Sequence, residues 1–292
     1  MANDTALGNW LTTQWAHTPR AFQVEVEGAR IACLGWNMDS VFLPGLVLVH
    51  GFRAHARWWD HIAPSFTDRY RVVALNLSGM GDSDRREAYS RAQNGREILA
   101  VAAACGFAPF TLVTHSFGTM GGILATKLAP EWIQRLIMID AGIPTVDEQA
   151  HQIPTPPLRI YPDQNSAMAR FRLIPDVREP VPAIMEYIAR HGVVQTADGW
   201  SWKFDHQAAK SLNRERYRHE LFGVSVPTDV IYGAESDVMT PERVELALKI
   251  APHAGKPVAI PACNHHVMIE QPLALVAALR GILSNEPARA VR

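Results

Sequence analysis

One serine, two adjacent histidines and a few carboxylates supply the chemistry open to this chain. Residues 112–118 read L-V-T-H-S-F-G, an apolar run ending in a turn at Ser116, followed by a small-residue helical pattern, G-T-M-G-G-I-L-A-T-K-L-A. A serine hydroxyl is a poor nucleophile near neutral pH and needs a base, itself oriented by a carboxylate, to take its proton. Near the C-terminus, residues 261–272 read P-A-C-N-H-H-V-M-I-E-Q-P and offer His265 and His266 as the base. The carboxylates in play are Glu235 and Asp237 in Y-G-A-E-S-D, and Asp140 at the end of L-I-M-I-D. The competing role for Ser116 is to cap the helix that begins at Phe117. Metal chemistry lacks a motif: the two histidines are adjacent and neither H-E-x-x-H nor C-x-x-C occurs. Phosphate-cradling glycine loops are also absent, so no cofactor is expected.

These residues need elements to hold them. Short, apolar, β-branched runs at 45–50, 71–77, 110–114, 136–140, 228–232 and 257–260 read as buried strands. Helical patterns lie between them at 58–66, 94–105, 117–128, 242–250 and 273–283. Strand then helix, repeated, predicts an α/β fold with a doubly wound, mostly parallel sheet. Upstream, 22–28 and 29–37 alternate with period two around a turn, as an antiparallel pair would. The alternation breaks between 144 and 220, where eight of the 20 prolines fall in 144–182 and only 183–190 has a regular helical pattern. So long an excursion between core strands should fold as a mainly helical cap (145–220) inserted into a core of 1–144 and 221–292. Insertions at the carboxyl ends of parallel strands lie over the usual ligand crevice.

Composition excludes several classes. The 292 residues are 48% hydrophobic and 20% charged, with 28 basic against 29 acidic residues and a net charge of −1. Nothing there attracts nucleic acid or an anionic membrane surface. No 18-residue apolar run or basic-then-apolar leader occurs, so a cytoplasmic protein is expected. Cys33, Cys105 and Cys263 are odd in number and widely spaced, as reduced structural thiols would be.

The turn at Ser116 resembles the nucleophile elbow of the α/β-hydrolase family, with Thr114 where that family usually has glycine. Further motifs extend the resemblance from about Phe22 to Leu283. His50-Gly51-Phe52 looks like the family's oxyanion loop, which implies backbone N–H donors at Phe52 and Phe117 and a supporting role for His50. Residues 76–83, N-L-S-G-M-G-D-S, look like its glycine-containing structural loop, with Asn76 for the usual aspartate. The histidine loop implies His265 as base, five residues before Glu270, with His266 left to the pocket. The G-x-x-x-D turn implies Asp237 as the acid; Asp140 is the alternative that some branches use. Arg53 and Trp58, beside the oxyanion loop, are further substrate-binding candidates.

The resemblance therefore implies a serine hydrolase with the triad Ser116, His265 and Asp237, working without a cofactor on a small molecule. A serine at the elbow argues against the epoxide-hydrolase and dehalogenase branches, which place aspartate there. A carboxylic ester with an apolar or aromatic part is the main expectation. A C–C bond, lactone or amide would use the same triad, and a non-catalytic binding protein is the alternative of another class.

Overall fold

The β-branched runs assemble into one eight-stranded sheet. In the computed structural model, which describes residues 2–141, 143, 155, 157–177, 179–212 and 221–284, the chain first forms helix α1 (Ala2–Ala16). Strands β1 (Arg20–Val26) and β2 (Ala29–Trp36) then pair antiparallel around Glu27 and Gly28, both with left-handed backbones. Parallel strands β3 (Gly45–Val49), β4 (Arg71–Leu75), β5 (Phe110–His115) and β6 (Ile133–Ile139) follow. The chain then leaves the sheet, makes a hairpin of β7 (Val193–Thr196) and β8 (Gly199–Trp202), and returns to add β9 (Thr228–Gly233) and β10 (Val258–Ile260). Spatial order is β1-β2-β4-β3-β5-β6-β9-β10. The chain runs outward from β3 to β4 and then jumps back over β3 to β5. Such a reversal, here between β3 and β5, is the place beyond whose carboxyl ends open α/β sheets bind their ligands.

Both faces of the central strands are buried, which is why β3 and β5 are almost continuously apolar, whereas the edge strand β1 is largely exposed. Val47, Val49, Val73 and Leu75 face the side covered by α2 (Arg91–Ala104) and α3 (Gly118–Leu128). Leu46, Leu48, Val72 and Ala74 face the other side, with Trp59, Ile62, Leu275 and Leu279. The alternation follows from successive side chains pointing to opposite faces. The patterned stretch 58–66 is not one helix but two 3₁₀ turns, Ala56–Trp59 and Ala63–Phe66. Pro64 sits at the start of the second, where it lacks the N–H a continuous helix would need.

Between β6 and β9, the described residues form α4 (Gln164–Met168), α5 (Pro182–His191), the hairpin and α6 (Ala208–Leu212). The proline-rich start of the expected insertion, at 144–154, lies outside the described residues. The described part of the segment is mainly helical, as expected, and the hairpin is an addition to it. Its turn is local: Ala197 and Asp198 connect the pair Thr196 to Gly199, with Gly199 at φ 135° opening β8. Several contacts fix the segment against the sheet's carboxyl end. Val181 N–H donates to the Ile269 carbonyl at 3.3 Å, Asp205 N–H to Gly79 at 2.7 Å, and Tyr187 Oη to Asp60 at 2.6 Å. The α1 helix, absent from the sequence reading, adds Trp15 stacked 4.7 Å from the Tyr187 ring. The chain continues through α7 (Pro241–Ile250), α8 (Val267–Glu270) and α9 (Pro272–Ser284).

Candidate active site

Ser116 occupies the junction of β5 and α3 with φ 49°, a left-handed conformation that non-glycine residues rarely adopt. Its N–H donates to the Ile139 carbonyl of the neighbouring strand at 3.0 Å. This holds the strained turn and raises the side chain above the sheet. Thr114, where glycine was expected, is fully buried, and its hydroxyl lies 3.1 Å from Thr119 Oγ1. The space for it comes from α3. A Cβ placed on Gly122 would lie 2.6 Å from Thr114 Cγ2, so the side chain missing at 122 accommodates the one present at 114. Gly122→Ala should therefore destabilise by about 1–3 kcal/mol through overpacking. In a Thr114→Gly background the same change should become neutral or stabilising, since alanine is the better helix former by about 1 kcal/mol. Urea unfolding of the four proteins measures the coupling; additive effects would refute the interlock.

The described hydrogen bonds of the His265 side chain make one line. Nε2 lies 2.9 Å from Ser116 Oγ and Nδ1 lies 2.6 Å from Asp140 Oδ1. Asp140 is completely buried at the end of β6, with φ 42°. Its carboxylate also accepts the Gly233 N–H at 2.9 Å on Oδ2 and the Ser236 hydroxyl at 2.8 Å on Oδ1. Val238 and Met239 N–H groups both donate to Ser236 Oγ, at 3.1 and 3.0 Å, which leaves the serine proton for Asp140.

The carboxylate that lies against His265 is thus Asp140 and not Asp237, where the sequence led us to expect it. The 233–237 turn closes with Ala234 N–H on Ile260, Glu235 N–H on Cys263 and Ser236 N–H on Gly233. That geometry points Ser236 inward and leaves Glu235 and Asp237 exposed. Asp237 reaches the histidine loop only through its backbone N–H, which donates to Asn264 Oδ1 at 3.2 Å. Glu270 has a physical reason for its spacing: its two oxygens accept the N–H groups of Asn264 and His266, both at 2.9 Å, clamping the loop around His265.

The other expected residues lie around this line. Gly51 brings the exit of β3 against the elbow; a Cβ there would lie 3.3 Å from Ser116 Cβ. Phe52 follows it, and Phe117 opens α3, their rings 5.2 Å apart. His50 is buried and supports the loop: its Nε2 accepts the Leu77 N–H at 3.1 Å, so Nδ1 donates to the Gly51 carbonyl at 2.7 Å. Burial pushes its pKa down to about 4. Asn76 is structural too, accepting from Ala56 and donating to Ala32. The Arg53 guanidinium lies 5.1 Å from the Phe52 ring and 5.2 Å from that of Phe204 of the inserted segment. Trp58 is buried, its ring 5.6 Å from that of His266. Of the apolar residues in the inserted segment, Leu173 and Ile184 are buried in the core on one face of the sheet.

Sequence reasoning missed His115. It is buried on β5, donates from Nε2 to the His265 carbonyl at 3.1 Å, and its ring lies 4.9 Å from that of His265. His266 is buried beside them, with Nε2 3.2 Å from the Pro175 carbonyl. Burial lowers the His115 pKa well below its ordinary value and takes that of His266 to about 3, so both are neutral near pH 7. Among the described residues, His115, His265 and His266 form the group whose ligand nitrogens would suit a metal ion.

The model of the alpha/beta hydrolase family matches residues 46–279, well over half of the chain. The chain belongs to the alpha/beta hydrolase family. As an alpha/beta hydrolase it is similar to a thioesterase domain from the curacin biosynthetic pathway, with a TM-score of 0.75 and 25% identity over 90% of this chain and 99% of that one. A putative esterase/lipase of Haemophilus influenzae is 22% identical over 85% of each chain. Epoxide hydrolase 4 of Mus musculus is 34% identical over 106 residues, 35% of this chain and 30% of that protein. The hydrolase thus matches less than a third of that relative's length, in a segment that local similarity alone defines. No helix among its described residues is long and apolar enough to cross a membrane.

Proposed function

We propose that this hydrolase cleaves a carboxylic ester of a small molecule through an acyl-enzyme on Ser116. The observation that carries the reading is the relay from Asp140 through His265 to Ser116, with its 2.6 and 2.9 Å contacts. Ser116 Oγ attacks the ester carbonyl carbon while its proton passes to His265 Nε2. Asp140 accepts the Nδ1–H bond, keeps the productive tautomer and stabilises the imidazolium. The backbone N–H groups of Phe52 and Phe117 would receive the oxyanion. Collapse breaks the bond to the alkoxy oxygen, which takes the His265 proton and leaves as the alcohol. Water, deprotonated by His265, then attacks the acyl carbon; loss of Ser116 as the leaving group, reprotonated by His265, releases the acid.

Two further points support the ester reading. The relatives matched over most of their length include a putative esterase/lipase and, at 25% identity over 85% of this chain and 96% of its own, a pimeloyl-[acyl-carrier protein] methyl ester esterase of Edwardsiella ictaluri. The epoxide-hydrolase likeness does not transfer its chemistry, because the elbow residue here is Ser116. In this reading the segment 145–220 is a cap that selects the substrate, and Arg53, Trp58 and His266 border its pocket.

Wild type and Ser116→Ala should be compared on p-nitrophenyl esters of increasing acyl length and by fluorophosphonate labelling. Stoichiometric labelling and turnover are expected in wild type only, with a loss in kcat of about 10⁶-fold on substitution. Cleavage of a vinylogous diketone acid with intact esters would replace the ester reading by C–C hydrolysis. An unlabelled wild-type serine with no turnover would remove the catalytic assignment.

A further inference from the structure

Acyl transfer needs one histidine, yet His115 and His266 stand against His265, which alone among them is bonded to Ser116. Each directs one ring nitrogen to an oxygen: His115 Nε2 to the His265 carbonyl at 3.1 Å, His265 Nδ1 to Asp140 at 2.6 Å, and His266 Nε2 to the Pro175 carbonyl at 3.2 Å. In neutral imidazoles these nitrogens carry the protons, which leaves lone pairs on His115 Nδ1, His265 Nε2 and His266 Nδ1. Among the described residues, the Nδ1 atoms of His115 and His266 are buried without a hydrogen-bond partner. A buried acceptor that makes no bond carries a cost that a ligand would relieve.

The spacing fits such a ligand. One nitrogen from each ring lies within 4.8 Å of the others, and the ring centroids are 4.9, 5.9 and 4.8 Å apart. Three imidazoles around a tetrahedral ion, with nitrogen-to-zinc bonds of about 2.0–2.1 Å, place their centroids roughly 5 Å apart. The rings therefore stand at coordination spacing, and bringing the nitrogens onto one ion requires shifts of roughly an ångström or less. Imidazoles that ligate metals almost always give the other N–H to a carbonyl or carboxylate, the arrangement present at all three rings. The donor set is all nitrogen, which suits zinc and other borderline cations and not magnesium or calcium.

We propose that His115, His265 and His266 bind a divalent cation of the zinc type and that binding switches hydrolysis off. The two states exclude each other because the His265 lone pair that accepts the Ser116 proton is the one that would ligate the ion. Coordination uses three existing lone pairs, with no redox step and no proton to release. Only the inhibitory half of the proposal rests on the acyl-transfer reading; the binding half does not.

The test titrates chelator-treated protein with Zn²⁺ by calorimetry and with Co²⁺ by visible absorption, with Mg²⁺ for comparison. The expected result is one Zn²⁺ per chain, an intense tetrahedral cobalt spectrum, no response to Mg²⁺, and loss of fluorophosphonate labelling that a chelator restores. His115→Asn and His266→Gln should each weaken zinc binding about tenfold or more, whereas the change at exposed His253→Ala should leave it intact. Ser116→Ala should still bind, which reads the site independently of activity. If a histidine variant does not fold, the wild-type cobalt spectrum still decides, because a weak octahedral spectrum overturns the site. Absence of binding, or binding indifferent to both histidine variants, overturns it as well. Zinc binding in a protein that cleaves no ester would uphold the site and sink the ester reading. Serine-dependent turnover untouched by saturating zinc would do the reverse to the inhibitory switch.

Discussion

Asp140→Asn should lower kcat by about 10⁴-fold, while Asp237→Asn should stay within about threefold of wild type. The asymmetry follows from position. Asp140 is fully buried and bonded to His265 at 2.6 Å, whereas Asp237 is exposed and touches the histidine loop only through its main chain. An asparagine at 140 would keep the shape but could present an amide N–H to Nδ1, favouring the tautomer that cannot take the serine proton. Steady-state kinetics on an activated ester, with circular dichroism to verify folding, separates the two residues. Loss of activity in Asp237→Asn with Asp140→Asn intact would restore the assignment drawn from sequence.

The second large effect concerns acid. Burial lowers the pKa of six histidines: His50, His61 and the half-buried His191 to about 4, His266 to about 3, and His55 and His115 well below the ordinary value. Unfolded, each titrates near 6.5. Between that value and the folded one the unfolded chain binds more protons, so this stability is present above about pH 6.5 and is lost as pH falls toward 4. Each fully buried group contributes up to about 1.4 kcal/mol per pH unit, the half-buried His191 less, and together they make the loss several kcal/mol per unit near pH 5. Asp60, Glu97 and Glu270, raised by burial, act in the opposite sense in the acid range, and they are fewer. Urea midpoints at pH 8, 6.5 and 5 should be flat over the first interval and fall sharply over the second. Equal midpoints at pH 5 and 8 would refute the account.

Most of the sheet was legible because a strand buried on both faces must be continuously apolar, a local property of 45–50 or 110–114. Ser116 and His265 were legible for a related reason: a strained turn between a strand and a glycine-rich helix, and a loop clamped by a glutamate five residues on, are short-range patterns. Which carboxylate meets His265 depends instead on how the ends of β6 and β9 approach each other. Both offer an acid, and only the inward turn of Ser236 decides between them. The resemblance favoured the commoner station. His115 carried no local sign, since a histidine at the end of a buried strand acquires its neighbours only when the 265–266 loop, 150 residues away, folds over it. The hairpin after α5 went unread because it is short, its two strands of four residues joined by Ala197 and Asp198.

The Thr114 and Gly122 interlock also bears on the history of the elbow. A glycine at 114 opposite a glycine at 122 leaves a small void, a state a folded protein can tolerate, whereas an alanine at 122 opposite Thr114 drives two carbons to 2.6 Å. Substitutions at this pair therefore come more easily in one order: loss of Thr114 before a side chain at position 122. The elbow's departure from the family pattern thus acts as a drag on change, favouring glycine at a helix position for as long as the threonine remains.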